Sequence, residues 1–217
     1  MLFSGCTSIN DRGERVKFIQ VNRVPWVCAW LAGCLLFSPL PASADGDMLS
    51  SEVFLVVLLK ALNYDRQIGR LSDGKIVIGV VYAHGDDQAQ QFSQKMMDAF
   101  LKIQSKIQVK NMPAEVRVLD LGGTLSRDKF EDQLKQNHIS AVAVASHDPD
   151  VNKFIFETTR NLGINSVCNT SECVKHGSGL GIVLKDEKPR MVVNLNAIKL
   201  EGSDYSATFL ALCDIVQ

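Results

Sequence analysis

The sequence predicts an α/β protein. It should form a single three-layer α/β/α domain with a mostly parallel sheet, closed by a C-terminal hairpin plus helix. Three observations carry this expectation. Residues 75–82 and 140–145 are continuous apolar runs, as central parallel strands buried on both faces require. Helical stretches alternate with such runs across residues 49–167, with connections short enough for βαβ units. The last part of the chain then switches to two facing strands, 180–184 and 190–194, around the charged turn at 185–189.

Each element has a local reason. Ser50 and Ser51 can cap a helix from Glu52 to about Tyr64, and its apolar residues lie on most sides, so it should be well buried. Asp73 and Gly74 signal a turn into the strand at 75–82. Residues 86–106 read as a helix with Phe92, Met96, Ala99, Phe100 and Ile103 on one face. Pro113 ends the next connection. Residues 114–119 alternate, as in an edge or half-covered strand, and Gly122 and Gly123 break it. Ser126 caps a helix over 127–137. After the strand at 140–145, Asp148 and Pro149 open a helix to Leu162, since proline at the first helical position gives up only an N–H that would be unpaired anyway. Gly163 ends that helix, and 164–167 is a fourth short strand. From Gly202 onward the chain reads as a closing amphipathic helix. No repeat, low-complexity tract or interdomain linker interrupts this order.

The first 44 residues read as a signal peptide. Arg12, Arg15, Lys17 and Arg23 form a basic segment, residues 24–37 are an apolar one, and Ala42, Ser43 and Ala44 supply small residues at a cleavage site after Ala44. The apolar run is shorter than the roughly 20 residues that span a bilayer, and Pro39 and Pro41 interrupt it. Residues 31–34 match a lipobox, so the alternative is a lipid anchor on Cys34. Export implies a periplasmic protein whose fold is residues 45–217. The first 44 residues hold four basic and two acidic side chains, so the rest of a chain with net charge −1 lies near −3. This size suits one domain with a core. Without a basic stripe, nucleic acid is excluded as a partner, and no charge draws the chain to an anionic membrane.

Three cysteines remain, Cys168, Cys173 and Cys213. In an oxidising compartment Cys168 and Cys173, with four residues between them, can close a small disulfide loop, contributing on the order of 2 kcal/mol less any strain. The alternative is a redox or metal pair, although the spacing is not Cys-x-x-Cys and no second ligand pair exists. Cys213 lies among leucines and reads as a buried small hydrophobe.

In an open parallel sheet, ligands bind beyond the carboxyl ends of the strands. His84 and Asp86, with Asp87, follow the first strand; Asp120 ends the second; His147 and Asp148 follow the third. These residues form the candidate ligand edge. Imidazole beside carboxylate suits a divalent metal or acid/base chemistry. The plainer reading is that Asp86, Asp87 and Asp148 cap helices. A small-molecule pocket is a third reading, and helix N-termini in its floor would favour an anionic group. No tight ligand motif calls for a metal or any other cofactor, and no nucleophile–base pair marks an enzyme. Gly177, Gly179 and Gly181 lack the spacing of a dinucleotide loop and enter a strand, so they read as close-packing positions. Ser178 is not in a nucleophile elbow. Asn194, Asn196 and Ser206 read as structural residues bonding backbone at a corner.

The tail runs from the cysteine loop through the glycine-rich strand, the charged hairpin, a strand ending Asn194-Leu195-Asn196-Ala197, then Gly202-Ser203-Asp204-Tyr205-Ser206 and a Leu-rich end. In that order it resembles the YfiR/HmsC-like periplasmic proteins, over roughly residues 49–216. The aromatic and Trp-Pro element of that family after the first helix is absent here, as is a second mid-chain cysteine pair. The resemblance implies a non-enzymatic regulator, one that binds the periplasmic sensor region of an inner-membrane signalling protein, in known cases a diguanylate cyclase of the cyclic-di-GMP pathway. It also implies a homodimer as a candidate assembly. The alternative is a periplasmic solute-binding protein resembling one lobe of a receptor, with a small-molecule ligand at the strand edge. A metal-dependent enzyme built on His84 and His147 is the third reading.

Overall fold

The computed structural model describes residues 7–9, 15–17 and 49–216. The chain divides into two units, Met1–Ser43 and Ala44–Gln217. In the first, β1 (Thr7–Ile9) pairs antiparallel with β2 (Arg15–Lys17). The apolar segment at 24–37, Cys34 and the cleavage residues Ala42, Ser43 and Ala44 lie outside the described residues. Among the described residues no helix is long and apolar enough to cross a membrane.

The second unit opens with α1 (Ser51–Leu62), whose N-cap Ser50 accepts a hydrogen bond from Val53 N. It then alternates: β3 (Ile76–Tyr82), α2 (Asp87–Ile103), the short strand β4 (Gln108–Val109) and β5 (Met112–Asp120). Next come α3 (Arg127–Gln136), β6 (Ile139–Val144), α4 (Pro149–Leu162), β7 (Asn165–Cys168) and α5 (Ser171–Lys175). The hairpin β8 (Leu180–Lys185) and β9 (Lys188–Asn194) leads to α6 (Leu195–Leu200), α7 (Ala207–Leu210) and β10 (Asp214–Val216). The eight strands from β3 onward form one sheet in the order β10-β9-β8-β7-β6-β3-β5-β4. Strands β8, β7, β6, β3 and β5 are parallel, while β9 and β4 pair antiparallel to their neighbours and β10 runs parallel to β9.

Strand β3 is central because its sequence allows nothing else: six of its seven residues are buried. With side chains alternating between faces, Ile76, Ile78 and Val80 join one core with Phe54, Leu58, Phe92 and Met96 of α1 and α2. Val77 and Val81 join the opposite core with Phe130 and Leu134 of α3 and Ile155 and Phe156 of α4. Helices therefore cover both faces, and the expected three layers are present. Each of these fully buried side chains contributes roughly 1.5–3 kcal/mol.

The differences from expectation are local. Pro113 lies inside β5, where β4 makes it part of a two-residue edge hairpin turning at Lys110 and Asn111, both with positive φ. That geometry matches the twist of the flanking strands. Asp186 and Glu187 turn the β8–β9 hairpin in the same way. The cysteine segment contains a helical turn, α5, capped by Thr170. The closing helix is one short turn, α7, followed by the edge strand β10. The stretch after Ser206 places Phe209 against Tyr64 and Tyr205, with stacked rings 5.3 and 4.8 Å apart, and this leaves the remaining residues free to pair with β9.

The amino ends of β7 and β8 are held by buried polar groups that no local pattern announced. Asp65 is fully buried. Its Oδ1 accepts from Gln67 N at 2.9 Å and Asp204 N at 2.8 Å, and its Oδ2 accepts from Asn165 Nδ2 at 2.7 Å. Ser203 Oγ donates to Asn165 Oδ1 at 2.8 Å. Beside this cluster, Glu201 is 1% exposed and accepts from Ser166 Oγ. A Cβ on Gly179 would collide with the Glu201 carboxylate, so only glycine lets β8 start there. The guanidinium of Arg70 donates to the carbonyls of Gly163, Glu201 and Gly202. It thereby satisfies the open ends of α4 and α6 together, with Gly163 in the left-handed conformation at φ 66°.

Two outcomes follow from this cluster. Asp65→Ala strips acceptors from two backbone N–H groups and a buried amide, and should lower unfolding free energy by about 3–5 kcal/mol in a denaturant titration. Asp65→Asn, which keeps one carbonyl oxygen, should cost less. Burial pushes the Glu201 carboxyl up to about 8, against the opposing pull of Ser166, Arg160 and Gly179. Between the ordinary carboxyl value and about 8 the folded chain holds a proton that the unfolded chain has released. Stability should therefore fall as pH rises through that window, by a few kcal/mol in order of magnitude. Thermal melts of Glu201→Gln should be flatter over the same pH range.

Candidate functional site

The order of the parallel strands reverses at one place. From β3, the next strand β5 lies on one side, and β6, β7 and β8 follow in turn on the other. The loops after β3 and β6 therefore diverge to helices on opposite faces, leaving a crevice between them at the carboxyl edge. This crevice has a volume of about 510 Å³ and is bordered by His84, Asp86, Asp87, Gln88, Ser146 and Asp148. A second cleft of about 600 Å³ lies next to it, sharing Gln88 and bordered by His147, Lys95, Gln91, Phe92 and Glu52.

The expected edge residues are thus only partly brought together. His84, Asp86 and Asp148 share the crevice. Asp120 is joined to it through His84, whose Nδ1 lies 3.2 Å from Asp120 Oδ2. His147 borders the neighbouring cleft instead. The two histidines that would have anchored an acid/base or metal centre therefore face different spaces. Among the described residues no group of three His, Cys, Asp or Glu side chains could hold a metal ion.

Asp120 is anchored for its own reasons. Its Oδ1 accepts from Gly122 N at 2.7 Å and its Oδ2 from Tyr82 Oη at 3.3 Å. Partial burial pushes its carboxyl up, but the Gly122 N–H, His84 and Tyr82 outweigh this and hold it below the ordinary value. Tyr82 is shifted the other way, its phenol raised first by burial and then by the Asp120 charge. The His84–Asp120 pair is largely in solvent, with 68% of the His84 side chain exposed, so it contributes little to stability.

The helix ends at this edge are capped by acidic side chains. Asp86 Oδ1 accepts from Ala89 N at 2.9 Å, capping α2. Asp148 Oδ1 accepts from Asp150 N at 2.8 Å and Val151 N at 3.3 Å. Pro149 has no N–H, and Asn152 N is bonded to the Asp148 carbonyl at 2.9 Å. Every donor in the first turn of α4 is therefore already used, two by the Asp148 carboxylate and one by its backbone carbonyl. At α4 the helix N-terminus is thus filled by its own cap, and Asp86, Asp87 and Asp148 place acid groups around the crevice.

Cys168 and Cys173 are free thiols, not the expected disulfide, and both are buried. They sit in the core shared by α3, α4 and α5 as small hydrophobes. Thr170 closes the loop without a covalent bond, its Oγ1 accepting from Cys173 N at 3.2 Å. The hydrogen bond with Cys168, aided by burial, pushes the Cys173 thiol well up, so Cys173 lacks the character of a reactive thiolate. Cys213 is half-buried, and its Sγ donates to Phe209 O at 3.3 Å. Asn194 caps α6 through Ala197 N and donates to Val174 O, and Ser206 caps α7 through Phe209 N. Asn196 is exposed. The polar residues that sequence reasoning missed, Asp65, Arg70 and Glu201, are tied to partners 35 to 139 positions away and leave no local signal.

No family model matches the chain, and no curated protein does either. Solved structures do resemble it. A conserved domain protein from Vibrio cholerae O1 biovar El Tor is 12% identical, with a TM-score of 0.50 over 77% of this chain and 60% of that one. The ligand-free, open form of a substrate binding protein with adhesive properties from Clostridium difficile is 13% identical, with a TM-score of 0.50 over 79% of this chain and 61% of that one. An ABC domain in complex with L-Trp from Streptococcus pneumoniae is 10% identical, with a TM-score of 0.47 over 72% of this chain and 60% of that one. The chain spans about three-fifths of the length of these structures. At such identity the likeness is one of fold, and it is an α/β fold that substrate-binding proteins also use.

Proposed function

We propose that this chain is a non-catalytic periplasmic protein that binds a small solute at the crevice between the carboxyl ends of β3 and β6. One observation carries the reading: the strand order reverses where the crevice opens, and the loops on both sides of it border the same space. In open α/β sheets this is where ligands bind, because the two chains leave the sheet in opposite directions and clear room between them. The volume of about 510 Å³ suits a metabolite-sized molecule. The fold likeness to a substrate-binding protein supports the same reading.

The resemblance to periplasmic regulators supports a second reading, in which the domain contacts the sensor region of an inner-membrane signalling protein. A specific feature favours it. Helix α1 leaves Val53 and Val56 about 40% exposed, and Tyr64 just beyond its end is 43% exposed. These residues recur at helical spacing along one side, where a solvent-facing helix would ordinarily be polar.

Thermal unfolding with a broad metabolite panel tests the first reading. A true ligand at 100 times its dissociation constant should add about 2.7 kcal/mol to the unfolding free energy, and a double Asp86→Ala, Asp148→Ala variant should lose that response. A panel that leaves the melting temperature unmoved would count against it. For the second reading, immobilised chain should retain one membrane protein from solubilised membranes, and Val53→Glu with Val56→Glu should release it. Because both positions are exposed, stability should change by about 0.5 kcal/mol or less.

A further inference from the structure

The cleft beside the crevice has a chemistry of its own. It opens between the start of α1 and the first turns of α2, has a volume of about 600 Å³, and is bordered by Glu52, Gln88, Gln91, Phe92, Lys95 and His147. Gln88, Gln91, Phe92 and Lys95 recur at helical spacing, so one side of α2 turns two amides, a ring and an ammonium to a single space. Phe92 is held in the core, edge-on to Phe54 with ring centroids 5.5 Å apart, and its remaining 9% exposure supplies an apolar part of the lining.

The charges at this cleft are left open. Glu52 is its single carboxylate and Lys95 its single ammonium. They do not form an ion pair with each other, and among the described residues neither pairs with any other side chain. Elsewhere on the surface opposite charges close up, as Arg127 does with Glu157 at 2.8 Å and Lys185 with Asp214 at 3.2 Å. At the neighbouring crevice Asp86 and Asp148 are engaged as helix caps. A recess walled by protein concentrates the field of the groups around it. A positive and a negative charge that border one space without meeting are completed by a ligand that carries both.

We propose that this cleft is a second small-molecule site, separate from the crevice, and that it takes a compact zwitterion with an apolar substituent, as in an aliphatic α-amino acid. The ligand carboxylate pairs with Lys95 and the ligand ammonium with Glu52, each through a charge-assisted hydrogen bond. The amides of Gln88 and Gln91 hold both donors and acceptors and so serve either end of the ligand, and the substituent packs toward Phe92. Charge sets the class. A plain anion gains Lys95 but is repelled by Glu52, and a plain cation gains Glu52 but is repelled by Lys95. The crevice next door, bordered by Asp86, Asp87 and Asp148 without a lysine or arginine, offers no such pair. A volume of about 600 Å³ holds a molecule of metabolite size.

Leucine and its two truncated forms test this when titrated against the purified chain, with affinity read from NMR shifts. Isoamylamine keeps the ammonium and lacks the carboxylate; 4-methylpentanoate keeps the carboxylate and lacks the ammonium. Leucine should bind, with shifts centred on the amides of Glu52, Gln91 and Lys95, and each truncated form should bind more weakly by about tenfold, which is about 1.4 kcal/mol. Lys95→Met should weaken leucine to the level of isoamylamine, and Glu52→Gln should weaken it to the level of 4-methylpentanoate. Both side chains are exposed, so the unliganded melting temperature should stay unchanged in each variant. No binding of leucine would overturn the inference and leave the crevice reading standing. Equal leucine affinity in wild type and both variants would overturn it, as would equal affinity of wild type for leucine and either truncated form. Shifts confined to His84 and Gly85 would place leucine in the crevice and would overturn it as well.

Discussion

A carboxylate sealed from solvent sets the geometry of this domain. Asp65 is bonded at once to its own turn, to the segment entering α7 and to the first residue of β7. A buried charge that loses its partners costs several kcal/mol, so these three segments can meet in only one arrangement. Arg70 and Glu201 extend the constraint to the ends of α4 and α6 and to the start of β8. The amino end of the sheet is thereby closed by polar bonds among residues distant in sequence.

The opposite end is built by different rules. At the carboxyl edge the acidic side chains bond mainly to the loops that carry them, as caps of α2 and α4 or as the anchor of the turn after β5. Such bonds hold each loop in shape, and the exposed His84–Asp120 contact links the loop after β3 to the end of β5. The crevice between β3 and β6 is the space left by that arrangement. Its acidic character follows from the residues that border it: Asp86, Asp87 and Asp148, of which Asp86 and Asp148 also cap α2 and α4. Stability is concentrated at one end of the sheet and a recessed, acidic surface is kept at the other.

Small residues carry the packing between these ends. Gly179 and Gly181 enter β8 where a Cβ would strike Glu201 or Val174. The two neighbouring cysteines fill the layer under α4 as thiols, with Thr170 closing their loop. A segment whose two cysteines suggested a cross-link is explained by packing volume and one hydrogen bond. A similar α/β framework recurs in solved structures of under 15% identity, which fits a core specified by pattern and size more than by individual residues.

The sequence by itself determined the layers, because they depend on local periodicity. The β-branched run of β3, the amphipathic faces of α2 and α4, the proline and glycine that bound α4, and the paired strands at 180–194 are each legible within one window of chain. It also placed His84, Asp86, Asp120 and Asp148 on one edge, since that follows from strand ends alone. The tertiary structure decided which of them face a common space and separated His147 from the rest, because this depends on strand order, which no local pattern encodes. It also decided the roles of Asp65, Arg70 and Glu201. A polar residue looks the same in sequence whether water, a distant backbone group or nothing at all satisfies it; only packing determines which.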